Sequence, residues 1–168
     1  MITRYDLSRS ELADLLEGEP KYRIDQVWEG LHSQHREPAD LTNIPKKLRS
    51  AIESLLPAAL TPLREINADN GSTIKSLWQL SDGHLIESVL MHYRERSTVC
   101  VSSQAGCAMA CSFCATGQVG FDRHLTTGEI VEQVIRASQQ SPDKRVSNVV
   151  FMGMGEPLAN FDNVWSAI

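Results

Sequence analysis

Three cysteines fall within eight residues of this chain, Cys107-Ala-Met-Ala-Cys111-Ser-Phe-Cys114. No other stretch constrains the fold as tightly, because sulfurs so close in sequence converge only on a loop that wraps a shared centre. The neighbours suit such a loop: Gly106, Ala108, Ala110 and Ala115 are small, so the backbone can approach a bulky group. Three thiolates hold a four-iron cluster while leaving one iron open to a further ligand. A structural zinc site with Cys100 as fourth ligand would use the same atoms, although such sites usually pair two close couples across a longer loop. A disulfide framework fits poorly, since the first residues, Met1-Ile-Thr-Arg-Tyr-Asp, are polar and carry no secretory pattern.

Composition narrows the class further. With 42% apolar and 22% charged residues the chain has the makings of a packed core, and its 168 residues suit about one domain. No apolar run approaches the roughly 20 residues that span a bilayer, so no membrane role is expected and a reducing cytoplasm is the expected compartment. The net charge of −5 does not favour nucleic-acid binding, but local patches outweigh totals. Lys46, Lys47 and Arg49 form one small basic cluster, which reads first as a solvated helix face.

The pattern changes twice along the chain. Residues 1–60 read as helical: Ser8 and Glu11 make a capping box before Leu12, Leu15 and Leu16, and Gly18 and Pro20 stop that helix. Ile24, Val27, Trp28 and Leu31 mark one face of a second helix, and Pro45 suits the first residue of a third. In residues 61–96, Thr73 to Leu80 and His84 to His92 are strand-like around the short loop Ser81-Asp82-Gly83, predicting a hairpin connector. Glu87 lies in the second of these strands, where alternation alone would turn it to solvent.

Residues 97–168 alternate strand and helix. Val99 to Ser103 leads into the cysteine loop, Thr126 and Glu129 cap a helix, and Asn148 to Met152 is the near-continuous apolar run of a strand covered on both faces. Strand, cysteine loop, helix and strand is the opening unit of a (β/α) barrel, with its chemistry at the strand's C-terminal end. A complete barrel takes roughly 200 residues or more, so this chain reads as the front of a larger protein.

The C-x3-C-x2-C spacing resembles that of the radical S-adenosylmethionine enzymes. With Cys100-Val-Ser-Ser-Gln-Ala-Gly-Cys107, Gly120-Phe-Asp-Arg123-His-Leu125 and Met152-Gly-Met-Gly-Glu-Pro157 included, the chain resembles the RlmN/Cfr-type RNA methyltransferases. The fold this implies is α/β: a helical accessory RNA-binding domain, a β-hairpin connector, then the first strands and helices of an incomplete radical SAM barrel. Tyr22-Arg23, Gln26, Trp28 and Asn43-Ile44-Pro45 fit the accessory domain.

The resemblance also implies roles. Cys107, Cys111 and Cys114 would hold a 4Fe–4S cluster that binds S-adenosylmethionine and cleaves it to a deoxyadenosyl radical. Phe113 would pack by the cofactor's adenine, and Gly155 and Glu156 match the segment that receives its methionine amino group. Cys100 stands where the family has a resolving cysteine that forms a transient disulfide, and Glu87 where it has a proton acceptor. The implied substrates are 23S rRNA and tRNA, methylated at C2 of an adenosine, with a flavodoxin-type reductase as electron donor. The family's methyl-carrying cysteine matches none of the four cysteines here, so the chain by itself is expected not to methylate RNA. Two other readings stand beside this one: a different radical SAM enzyme completed by another chain, and a zinc-stabilised RNA-binding module.

Overall fold

Ser8 begins the first helix as its sequence requires. Its Oγ accepts from the Glu11 amide at 3.3 Å while the Glu11 carboxylate accepts from the Ser8 amide at 2.8 Å, satisfying two amides a helix start leaves bare. The helix α1 spans Arg9–Leu15, and Gly18 takes the left-handed conformation, φ +94°, that turns the chain. Pro20 precedes α2, Lys21–Trp28, which loosens into a π-helical turn over Glu29–Ser33. Pro45 is the cap of α3, Lys46–Leu55, one position earlier than the sequence predicts.

The computed structural model describes residues 2–168 and divides them after Ala58 into two compact units. In the first unit Leu12, Ile24, Val27, Leu31, Leu48 and Ile52 are buried. Each such side chain contributes about 1.5–3 kcal/mol through removal from water. Trp28 stacks on His32 at 3.8 Å between ring centroids, and Tyr5 meets the same imidazole edge-on.

The second unit is built on a five-stranded sheet. Strands β1 (Leu60–Ala68), β2 (Thr73–Leu80) and β3 (Leu85–His92) form an antiparallel meander, and β4 (Ser97–Cys100) continues it. Two short strands, β5 (Gln104–Gly106) and β6 (Phe121–His124), pair separately on either side of the cysteine loop and the five-residue helix α4 (Ala115–Val119). Helix α5 (Thr127–Gln140) crosses back to β7 (Val146–Val150), which lies parallel to β4. A 3-10 turn and α6 (Phe161–Ala167) follow. The order β1-β2-β3-β4-β7 joins the expected hairpin to the strands of the expected barrel in one sheet.

Strand alternation separates the two faces. Trp78, Ile86, Leu90 and Val99 point to one side and pack in apolar clusters with Ile130 and Ala137 of α5. Glu132, fully buried on the same helix, accepts from the Ala59 amide at 2.7 Å and pairs with Arg136 at 2.9 Å, so neither carboxylate oxygen is stranded. The other face carries Lys75, Glu87, Val89, Cys100 and Val150, all less deeply buried. At one margin, β1 is interrupted by a bulge between Pro62 and Arg64; at the other lies β7, with no charged residue between Val146 and Val150. Among the described residues no helix is long and apolar enough to cross a membrane.

Candidate active site

The strand β4 delivers the chain to the cysteine loop along a path fixed from both sides. Gln133 of α5 accepts from the Ser102 amide at 2.8 Å and donates to the Ser102 carbonyl at 3.0 Å, completing in side chain what a neighbouring strand would supply. Ser102 Oγ donates to the Glu87 carbonyl at 2.6 Å and accepts from the Met154 amide at 2.9 Å. One hydroxyl thereby ties β3 to the turn after β7. The sequence reading assigned Ser102 no part in this, since its partners lie 15 and 52 residues away.

The loop then folds on itself. Cys107 donates its amide to Gly120 O at 2.7 Å, and Cys114 donates to Cys111 O at 3.0 Å. A Cβ on Gly117 would stand 2.9 Å from Cys111 N, so only glycine allows this approach. Cys107 is buried, whereas Cys111 and Cys114 are partly exposed. Cys114 caps α4, and amide donors, Gly117 first and then Thr116, hold its thiol below the ordinary range.

The residues present fit a thiolate-held cluster by their chemistry: three free thiols on one loop, one with its thiolate already stabilised. Among the described residues, however, no three His, Cys, Asp or Glu side chains converge as a metal-holding group. A four-iron cluster takes each thiolate on a different iron, so its ligands do not need to converge on one point as those of a single ion do. Cys100 is not gathered with them, and the zinc alternative gains no four-thiol cage.

Cys100 lies instead at the C-terminal end of β4, opposite Val89 on β3 and Val150 on β7. Its side chain borders a groove of about 560 Å³ with Val89, Met91, Thr98, Val150 and Met152. Burial pushes its thiol above the ordinary value, offset in part by the Met152 amide. Glu87 is two residues from Val89 on the same face, so the register brings both expected catalytic residues to one side of the sheet. The Glu87 carboxylate is engaged by Lys75 Nζ at 2.9 Å, a partner the sequence reading missed.

Gly155 follows β7 with φ +100°, a conformation that favours glycine, and Glu156 accepts from the Leu158 amide at 3.1 Å. Met154 O accepts from the amides of Ser103 and Gln104 at 2.8 and 3.2 Å, which fixes this turn beside the strand entering the cysteine loop. Phe113 is 90% exposed, its ring uncovered beside Cys114. The expected disulfide is corrected: all four cysteines are free, and no two of them are joined. The physical reason is the missing partner: the cysteine with which Cys100 would pair transiently matches none of the four here, and the other three lie on the loop beyond its strand.

Residues 101–164 match the radical SAM superfamily. The chain belongs to that superfamily. The family's chemistry uses a 4Fe–4S cluster and S-adenosylmethionine, the cofactors expected from the cysteine spacing. This radical SAM chain is 50% identical to the probable dual-specificity RNA methyltransferase RlmN of Corynebacterium diphtheriae, over 97% of its own length and 46% of that protein. It is 48% identical to the protein of the same name in Chloroflexus aurantiacus, over 98% of its length and 46% of the relative. A radical SAM methyltransferase of known structure from Sphaerobacter thermophilus superposes with a TM-score of 0.95 at 43% identity, over 99% of this chain and 51% of that one. The chain thus spans about half the length of the relatives it matches.

Proposed function

We propose that these residues serve an RlmN-type methyltransferase that places a methyl group on C2 of an adenosine in 23S rRNA and tRNA. The observation that carries the reading is the 50% identity to an RlmN protein across 97% of the chain. It is supported by a cysteine loop at the C-terminal end of a strand in a parallel pair, where barrel enzymes keep their chemistry.

The roles follow from what each side chain can do. Cys107, Cys111 and Cys114 hold the cluster as thiolates, and amide donors at the start of α4 favour the Cys114 thiolate. When bound, the cluster and S-adenosylmethionine supply the radical chemistry that an unactivated aromatic C–H requires. Gly155 lets backbone approach the methionine end of the cofactor, and the Glu156 carboxylate suits its ammonium. Phe113 offers an aromatic face to the adenine. Glu87 takes the proton lost from C2, and Lys75 orients that carboxylate through its 2.9 Å contact. Cys100, as a thiolate, attacks the sulfur of the protein–RNA adduct; the S–C bond breaks as the new S–S bond forms, its electron pair stays on the methylene carbon, and that carbon takes up a proton to become the product's methyl group. The other sulfur belongs to a cysteine outside these residues. The helical unit is the RNA-binding accessory, a flavodoxin-type reductase is the electron donor, and the cytoplasm is the compartment.

The test is methylation by the full-length protein carrying this chain, given reductant and S-adenosylmethionine, on unmodified 23S rRNA and tRNA. Mass spectrometry should find 2-methyladenosine in both. Product at C8 alone, or cofactor cleavage with no RNA methylation, would overturn the reading.

A further inference from the structure

Gln104 is 1% exposed in β5, between the cysteine loop and the turn after β7. A buried amide has two unlike ends, and its partners decide which end goes where. The Glu156 amide can only donate, and it meets Gln104 Oε1 at 2.9 Å. The other end is therefore Nε2, which can only donate, and it lies 3.1 Å from His124 Nδ1. That ring nitrogen must accept. The network thus assigns His124 a neutral ring carrying its proton on Nε2.

The same glutamine bounds the turn sterically. A Cβ on Gly155 would come within 2.5 Å of Gln104 Cβ and 2.7 Å of both its Cγ and its backbone nitrogen. Backbone, stem and amide of Gln104 all meet the segment 154–156.

We propose that Gln104 is the positioning residue of the Gly155-Glu156 turn, and that it holds the turn for S-adenosylmethionine only while His124 Nδ1 is unprotonated. The proposal rests on the reading of Gly155 and Glu156 as the methionine end of the cofactor site. Protonating Nδ1 sets N–H against N–H. Turning the Gln104 amide over to relieve this presents Nε2 to the Glu156 amide, which is no better. Either response loosens the turn.

Other ionisable groups nearby are already engaged. On β6, Arg123 donates to the His124 carbonyl and pairs with Glu129 of α5 and Asp82 of the hairpin loop, while Asp122 lies 3.3 Å from His84. From the turn after β7, the Glu156 carboxylate accepts from Leu158 N, and the remaining β5 residues carry no charge. His124 is exposed to solvent protons.

The experiment is equilibrium binding of S-adenosylmethionine to the full-length, cluster-loaded protein from about pH 8 to about pH 6. Gln104→Ala should weaken binding about tenfold at pH 8, as expected for a lost buried hydrogen bond. His124→Asn sets Oδ1 where Nδ1 stood: it should keep the wild-type affinity at pH 8 and lose the wild-type weakening in acid. That variant also reads any titration of the cofactor's own amino group. Gln104→Glu should flatten the trend, because a carboxylate oxygen facing Nδ1 accepts from it both in the neutral Nδ1–H tautomer and in the protonated ring. Equal weakening of Gln104 variants at every pH, or a wild-type acid response in His124→Asn, would overturn the proposal. Glu156→Gln separates the two readings: unchanged affinity there defeats the cofactor-site assignment itself. Weakened affinity there, with Gln104→Glu following the wild-type trend, defeats the positioning role alone.

Discussion

The amide of Cys107 and the carbonyl oxygen of Gly120 meet at 2.7 Å, closing the cysteine loop at its base. Gly106 makes the closure possible, since its φ is +74° and a Cβ there would drive into that same carbonyl group. Gly106→Ala combines backbone strain with a backbone clash and should cost about 3 kcal/mol or more. Chemical denaturation would measure the loss, and iron bound after anaerobic reconstitution should fall with it. Unchanged stability with full iron loading would show that the base of the loop is not set by this contact.

The thiols should separate by reactivity. Amide donors hold Cys114 below the ordinary thiol value, while burial raises Cys100. A brief iodoacetamide pulse on the reduced, metal-free chain near pH 8, read by peptide mass spectrometry, should label Cys114 first and Cys100 much later. The reverse order would contradict both environments.

Stability of the helical unit should weaken in mild acid. Burial, with a smaller effect from His35, lowers the His32 pKa from 6.5 to about 4. Between those values the unfolded chain binds more protons than the folded one, so stability is full above pH 6.5 and falls until about pH 4. The loss should be roughly 2 kcal/mol once the ring's partial exposure is allowed for. Tryptophan-detected denaturation at stepped pH measures it, and His32→Gln should remove most of the slope.

Arg123 joins two acidic groups, donating to both Glu129 oxygens at 2.8 Å and also to Asp82. Glu129 is only 4% exposed, so Arg123→Ala leaves a buried carboxylate without its counterion. The expected cost is about 2 kcal/mol, less than for a fully buried pair because Arg123 itself is partly exposed. Adding Glu129→Gln to that variant should recover part of it in a double-mutant cycle. No recovery would place the cost elsewhere.

The parts read correctly from sequence obey local rules. Ser8 with Glu11, and Thr126 with Glu129, each announce a helix start within four residues, and both capping boxes form. The β2–β3 hairpin follows from its turn and its strand composition. What escaped depends on distant partners. The segment Leu60–Ala68 does not alternate cleanly and contains Pro62, yet it pairs with β2 around a bulge. Phe121–His124 is too short to declare itself and becomes a strand only against β5. At the site, the cysteine triplet was plain from spacing alone. The salt bridge of Glu87 with Lys75 and the clamp of Gln133 on Ser102 were not, because each depends on register or packing that no local pattern encodes.

The two margins of the sheet differ in kind. The β1 margin bears a proline, a bulge, and the charged Arg64 and Glu65, all of which discourage another strand from docking. The β7 margin, Val146-Ser-Asn-Val-Val150, has neither proline nor charge and lies parallel to its one partner. Growth of this sheet is therefore one-directional: a strand that joins it does so beside β7, on the side where Cys100 and the Gly155 turn already stand.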